Sequence, residues 1–227
     1  MRRGVCASLI FSALTAIAEV PAVAGTFTFT GNFPTDDSRL VVSFSLASAA
    51  TVTMQTWSYG GGTLPGPVTV PAGGFAPVIS FFDSSADPLL LGSDNSGGTA
   101  PSACGPRNID AATGFCLDAY LVEGAGGPLS AGSYFLILTE QDNTANGPNL
   151  SDGFTMDGTG NFTGPEHGIP GGSFLDPGGF QRTNSYYLTI SGVDQASVPS
   201  AVPEPSMMGL CAAGLGVWAG LKIRRAK

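Results

Sequence analysis

Strict alternation of apolar and small polar residues is the feature that most constrains this chain. Residues 26–30 read Thr-Phe-Thr-Phe-Thr, and residues 40–46 put Leu40, Val42, Phe44 and Leu46 in step with Ser43 and Ser45 between them. A period of two sends Phe27 and Phe29 to a core face and the threonines to the other, the pattern of a half-buried strand. Further strand-like runs occupy residues 50–57, 77–83, 89–92, 117–122, 133–140 and 185–191. The 33 glycines and 17 prolines gather largely between these runs, where they suit turns and would break a helix. No window between Gly25 and Val202 has the spacing of a long amphipathic helix. Eight short strands in about 170 residues predict one all-β domain, a jelly-roll-like β-sandwich large enough to bury its own core.

Both ends of the chain depart from that rhythm. Arg2 and Arg3 precede an apolar stretch over residues 5–18, and Ala22-Val23-Ala24 is a small-residue cleavage site. Residues 1–24 therefore read as a secretory signal peptide, with the mature chain starting at Gly25. At the other end, Pro203-Glu204-Pro205 is followed by an uncharged run over residues 206–221 and then by Lys222, Arg224, Arg225 and Lys227. Sixteen helical residues span about 24 Å, short of the roughly 30 Å hydrocarbon core, so insertion is marginal and suits temporary retention. The basic tail favours the cytoplasmic side and leaves the preceding chain outside.

Triplet, apolar helix and basic tail in this order resemble the PEP-CTERM sorting signal of bacterial surface proteins. After signal peptidase has cut between Ala24 and Gly25, as the N-terminal residues predict, the resemblance implies a transient stay in the inner membrane and a cut by an exosortase near Pro203, Glu204 and Pro205. Release to the cell surface or extracellular space would follow, and a permanent C-terminal anchor is the competing account. The expected organisation is a signal peptide at 1–24, a β-sandwich ectodomain at 25–193, a linker at 194–202 and a sorting signal at 203–227. Two loops, 95–115 and 143–184, interrupt the sandwich.

Between Gly25 and Val202 the only basic residues are Arg39, Arg107 and Arg182, against fifteen acidic ones. A charge near minus twelve repels nucleic acid and anionic membranes, so neither is expected as a partner. Many of the aspartates stand beside Gly, Asn, Ser or Pro, where Asp caps turns, and calcium is the other reason to gather them outside a cell. Two cysteines fall in this region, Cys104 and Cys116, and in an exported protein they are expected to form a disulfide worth on the order of 3 kcal/mol. With eleven residues between them and His167 far along the chain, they do not make a zinc site.

A second resemblance covers the strands. An apolar strand ending in Asp (77–83), a second apolar strand with a polar loop (89–98), Leu117-Asp118-Ala119-Tyr120-Leu121, and a closing pair at 131–138 and 185–190 are similar to the bacterial pre-peptidase C-terminal domain. This chain differs from that domain in its cysteine loop and in the insertion after Asp142. The resemblance implies a non-catalytic β-sandwich that often binds calcium, and by position Asp83, Asp94 and Asp118 are the candidate ligands, with turn capping the competing account.

Catalysis finds little support. His167 is the one histidine, set in a Gly/Pro loop, and no lysine between Gly25 and Val202 could replace it as a base. Asp36 and Asp37 are adjacent, so on an extended chain their side chains point apart rather than forming a glycosidase pair. Aromatic residues suggest binding instead: Trp57 and Tyr59 precede Gly60-Gly61-Gly62, and Tyr186-Tyr187 lie in the last long strand. Trp57 and Tyr59 are the candidate glycan contacts, and a ring pair on one exposed face would strengthen that reading. The favoured expectation is a surface or matrix protein with a non-catalytic acidic sandwich. A module that binds exopolysaccharide is the alternative, and a secreted hydrolase ranks third.

Overall fold

The computed structural model describes residues 24–64, 68–83, 89–93, 104–123 and 127–199. The signal peptide up to Val23, the Pro203-Glu204-Pro205 triplet and the 206–221 helix lie outside the described residues. Among the described residues the chain is all-β: β1 (Gly25–Asn32), β2 (Arg39–Leu46), β3 (Val52–Thr56), β4 (Gly62–Thr63), β5 (Thr69–Val70), β6 (Pro77–Asp83), β7 (Leu89–Ser93), β8 (Tyr120–Glu123), β9 (Gly132–Glu140), β10 (Ser185–Val193) and β11 (Gln195–Ser197). A 3-10 turn at Leu150–Asp152 and one turn of helix, α1 (Thr163–Glu166), stand in the long excursion between β9 and β10.

The strands form two main antiparallel sheets, ordered β1-β10-β3-β8 and β11-β2-β9-β6-β7, with β4-β5 as a separate small hairpin. Leu40, Val42, Phe44, Ile79, Phe81, Leu136 and Leu138 of the second sheet share one core with Val52, Met54, Leu188 and Ile190 of the first. Two sheets packed over a common core in this way are sandwich-like, and each fully buried aliphatic or aromatic side chain there contributes about 1.5–3 kcal/mol. The rings of Phe44, Phe81 and Tyr134 fill one part of it, with centroids 5.3–5.7 Å apart, Phe44 stacked on each of the other two.

All eight expected strands are present. The hairpin β4-β5 and the edge strand β11 are additional. Residues 195–197, expected to be linker, pair with Ser43, Phe44 and Ser45 of β2, so the sheet extends past residue 193. The cause is local: Gly192 turns the chain with φ +85°, and Val193 stays buried, which brings the next residues alongside β2.

The excursion at 143–184 is irregular yet anchored by buried polar groups. Asp36, in the turn between β1 and β2, has no exposure and accepts from the backbone N–H of Phe162 (3.1 Å), Thr163 (2.9 Å) and Phe174 (2.7 Å) and from the Thr163 hydroxyl (2.6 Å). Asp37 accepts from Thr35 Oγ1 at 2.6 Å and from the Gly160 N–H at 2.9 Å. A second tie is Arg182, which reaches Asp110 at 2.8 Å, the Tyr59 carbonyl at 3.1 Å and the Gly74 carbonyl at 3.2 Å while lying 4.2 Å over the Tyr59 ring.

Candidate functional site

The outward face of the first sheet is built from three adjacent strands whose polar positions fall in register. Thr26 of β1 stands opposite Ser191 of β10, which stands opposite Thr53 of β3, and two residues along the row is Thr28, Thr189 and Gln55. Antiparallel strands lie about 4.8 Å apart and same-face residues about 6.8 Å apart along each strand, so the hydroxyls form a flat lattice. Thr26 and Ser191 share a hydrogen bond of 3.0 Å.

The next row carries the rings. Thr30 pairs with Tyr187, and the Trp57 N–H donates to the Tyr187 carbonyl at 2.9 Å, so Trp57 and Tyr187 are neighbours on this face. Trp57 Nε1 donates to Thr189 Oγ1 at 3.1 Å, which fixes the indole against β10. Both rings are partly exposed and line a cavity of about 300 Å³ with the threonine rows, Gln55, and Leu64 and Val68 at the β4-β5 hairpin. Tyr187 also borders an adjoining cavity of about 310 Å³ lined by Thr30, Asn32, Ser58 and Tyr186. Among the described residues no charged side chain lines either cavity.

Two local devices shape the rim. Gly61 sits at φ +65° in the turn after Trp57, and an added Cβ would meet the backbone of Val70, Pro71 and Ala72, so only glycine lets the hairpin fold back beside the indole. On the opposite side Cys104 and Cys116, both buried with Cα atoms 5.7 Å apart, are joined as expected. The loop they close brings the Pro106 carbonyl to Gln55 Nε2 at 3.4 Å and Asn108 Nδ2 to the Gly61 carbonyl at 2.6 Å.

Tyr59, expected as a glycan contact with Trp57, is fully buried. Strand β3 ends at Thr56, so the two-residue period does not carry from Trp57 to Tyr59; the turn sends that ring inward. Its hydroxyl donates to Asp176 at 2.6 Å and lies 3.0 Å from Thr113 Oγ1, and burial followed by the Asp176 contact pushes the phenol well up. The ring that accompanies Trp57 is Tyr187.

Of the three candidate calcium ligands, Asp83 and Asp118 fall on described residues. Asp94 lies outside the described residues. Asp83 ends β6, opposite Tyr134 of β9. Asp118 is almost fully buried, and its carboxylate accepts from Thr56 Oγ1 (2.9 Å), the Tyr59 N–H (3.0 Å) and the Gly60 N–H (2.8 Å). Burial nevertheless raises its proton affinity above the ordinary value. Its visible role is to clasp the turn that follows Trp57. Among the described residues no three His, Cys, Asp or Glu side chains are gathered as a metal's ligand set.

Two further acids in perturbed environments, Glu140 and Glu166, belong to the end of β9 and to α1. Glu140 is fully buried and has no hydrogen-bond partner at either carboxylate oxygen. Asp142, Glu166 and the exposed His167 line a cavity of about 510 Å³ with Gln141 and Thr144. Burial, and then the charges of Asp36, Asp142 and Glu166, raise the Glu140 carboxyl well above its ordinary range. Compared with known families and curated proteins, the sequence matches no family model and no curated protein.

Proposed function

We propose that this chain is an exported, exosortase-sorted surface or extracellular-matrix protein whose non-catalytic, jelly-roll-like sandwich binds a neutral exopolysaccharide. Apart from the β6-β7 pair, successive long strands switch between the two sheets, which supports the jelly-roll reading: β1, β3, β8 and β10 in one, β2, β6, β7 and β9 in the other. Export and sorting rest on the sequence of the two termini.

One observation carries the binding reading: Trp57 and Tyr187 share an open, uncharged face with a lattice of threonine and serine hydroxyls. Sugar rings offer an apolar face to stack on aromatic side chains and hydroxyls that exchange hydrogen bonds with a polar lattice. A neutral polymer fits because the groove holds no cation to pair with an acidic sugar, while the domain around it is strongly negative. Two adjoining cavities divided by Tyr187 suit consecutive units of a chain rather than one small molecule.

The test is titration of the purified protein with neutral polysaccharides, followed by affinity electrophoresis or calorimetry. Trp57→Ala and Tyr187→Ala should each weaken binding by about thirtyfold if the rings act as interface anchors. Circular dichroism controls for fold. Wild-type affinity that neither substitution lowers would remove the groove from the proposal. Intact mass of protein from its native host tests the sorting: a start at Gly25 and loss of the tail after residues 203–205 is the expected result, and a mass retaining Lys227 would defeat it.

A further inference from the structure

Strand β1 is an edge of the first sheet. Among the described residues it pairs only with β10, and its eight residues include no charge and no proline. Two other edges are blunted: β8 has four residues and ends on Glu123, and β11 has three. Short strands and charges are how sheets keep their free hydrogen-bonding groups from pairing with a neighbour. β1 has neither device, and its Phe27 and Phe29 are only half-buried although they pack against the core.

The hydrogen bonds of β10 fix which groups of β1 face outward. Phe33 donates to the Asn184 carbonyl at 2.9 Å, while the Tyr187 carbonyl accepts from the Trp57 N–H on the opposite side of β10. Alternation along both strands then turns the backbone groups of Phe27, Phe29 and Gly31 toward Ile190, Leu188 and Tyr186, and leaves the N–H and C=O of Thr26, Thr28 and Thr30 at the free edge. Residues 26–30, Thr-Phe-Thr-Phe-Thr, read the same in both directions. A second copy laid antiparallel with Thr28 on a two-fold axis therefore sets Thr28 opposite Thr28 and Thr26 opposite Thr30. There the outward groups exchange about six hydrogen bonds, and Phe27 meets Phe29 in the closer pairs between them.

We infer that β1 is the contact edge of a homodimer, in which the four-stranded sheets of two copies join into one continuous sheet. Charge favours this strip for self-association. Between Gly25 and Val202 the chain has fifteen acids against three arginines, so two copies repel wherever their acidic surfaces meet. Residues 24–34 hold no charged group, and β11, which lies beside β1 on the other sheet, holds none either. Symmetry fits as well, because a two-fold contact needs one self-complementary patch and the palindromic strand supplies it. Pairing would cover the half-exposed rings of Phe27 and Phe29 and bring the threonine rows of two copies edge to edge in one wider face. The inference does not rest on the polysaccharide reading.

A single strand pair falls below the roughly 1,200 Å² of a stable complex, so monomer and dimer should coexist at protein concentrations on the order of 100 μM. The experiment is sedimentation equilibrium of the full chain in an excess of density-matched detergent micelles, with circular dichroism as the control for fold. Thr28→Glu and Thr28→Lys each set like charges against one another across the two-fold axis and should weaken dimerisation by at least about tenfold. An equimolar mixture of the two variants should recover wild-type association. Both variants keep the same tail, so association through residues 206–221 would persist in each of them alone. Wild type that remains monomeric at that concentration would overturn the proposal. A dimer that survives in either variant alone would place the contact elsewhere, and a loss that the mixture does not repair would mean that the two copies of Thr28 do not meet; either result overturns it equally.

Discussion

Replacing Asp36 with alanine tests whether the long excursion is held to the sandwich by one buried carboxylate. The substitution strands three backbone N–H groups, of Phe162, Thr163 and Phe174, and one hydroxyl, all now within 3.1 Å of Asp36. Each buried donor left without a partner costs about 1–3 kcal/mol. The Thr163 hydroxyl recovers part of its share, because it also accepts from the Leu175 N–H at 3.0 Å. Water entering the vacated space and relief of repulsion with Glu140 subtract more, so the expected net loss is about 3–5 kcal/mol. In a domain of this size that lowers Tm by about 6–20 °C.

Urea unfolding followed by circular dichroism measures the loss, and hydrogen exchange locates it. The amides of Phe162, Thr163 and Phe174 should exchange fastest relative to wild type, while those of β9 and β10 should change only with global stability. Asp36→Asn should retain part of the loss, since one oxygen still accepts but the new NH2 faces donors. A Tm change below about 2 °C for Asp36→Ala, with the three amides still protected, would refute the assignment of Asp36 as the anchor.

Other perturbations reach different parts of the same frame. Replacing both Cys104 and Cys116 with alanine should cost about 3 kcal/mol in denaturant midpoint analysis, and should also weaken polysaccharide binding because the loop borders Gln55 and Gly61. Burial pushes the Asp110 carboxyl up, but the hydrogen bond and charge of Arg182 outweigh it and hold it below its ordinary value of 3.8. A depressed carboxyl stabilises the fold above its unfolded value and loses that contribution as pH falls through the folded one. The stability gap between wild type and Asp110→Asn should therefore be constant at neutral pH and close below about 3.8 in acid titrations. A gap that persists unchanged into strong acid would mean that the pair with Arg182 does not carry it.

Much of the frame was legible because long strands announce themselves twice, by period and by the glycine and proline that bound them. The run Pro77 to Asp83 is a strand over those same residues. Pieces of two or three residues, such as Gly62–Thr63 and Gln195–Ser197, have no period to read and exist because a neighbour offers a free edge. The same limit explains the rings. Trp57 and Tyr59 share parity, but parity means something only while the strand lasts, and Thr56 ends it. Tyr187 lay inside a strand whose alternation, Leu188 and Ile190 inward, already put it outward with Thr189 between them. Glu140 was legible for the same reason, two residues beyond Leu138 on the inward face. What could not be read was its company, since Asp36 and Glu166 come from distant turns that only the folded excursion brings close.

Charge separates the stability of the domain from binding in the groove and allows the two to be told apart by salt. The domain's arginines are committed to partners within the chain, so the solvent-facing acids other than Asp157 repel one another without an arginine counter-charge. Salt screens such repulsion over about 8–10 Å at ordinary ionic strength, so the fold should become more stable as salt is added. The groove between β1, β3 and β10 holds only rings, hydroxyls, an amide and aliphatic side chains. Binding there should keep its affinity across the same salt range, because neither partner carries charge to be screened. A calorimetric titration with neutral polysaccharide at low and high sodium chloride reads both effects on one sample. Affinity that falls steeply with salt would mean that charged residues outside the groove make the contact, and Trp57 and Tyr187 would then be bystanders.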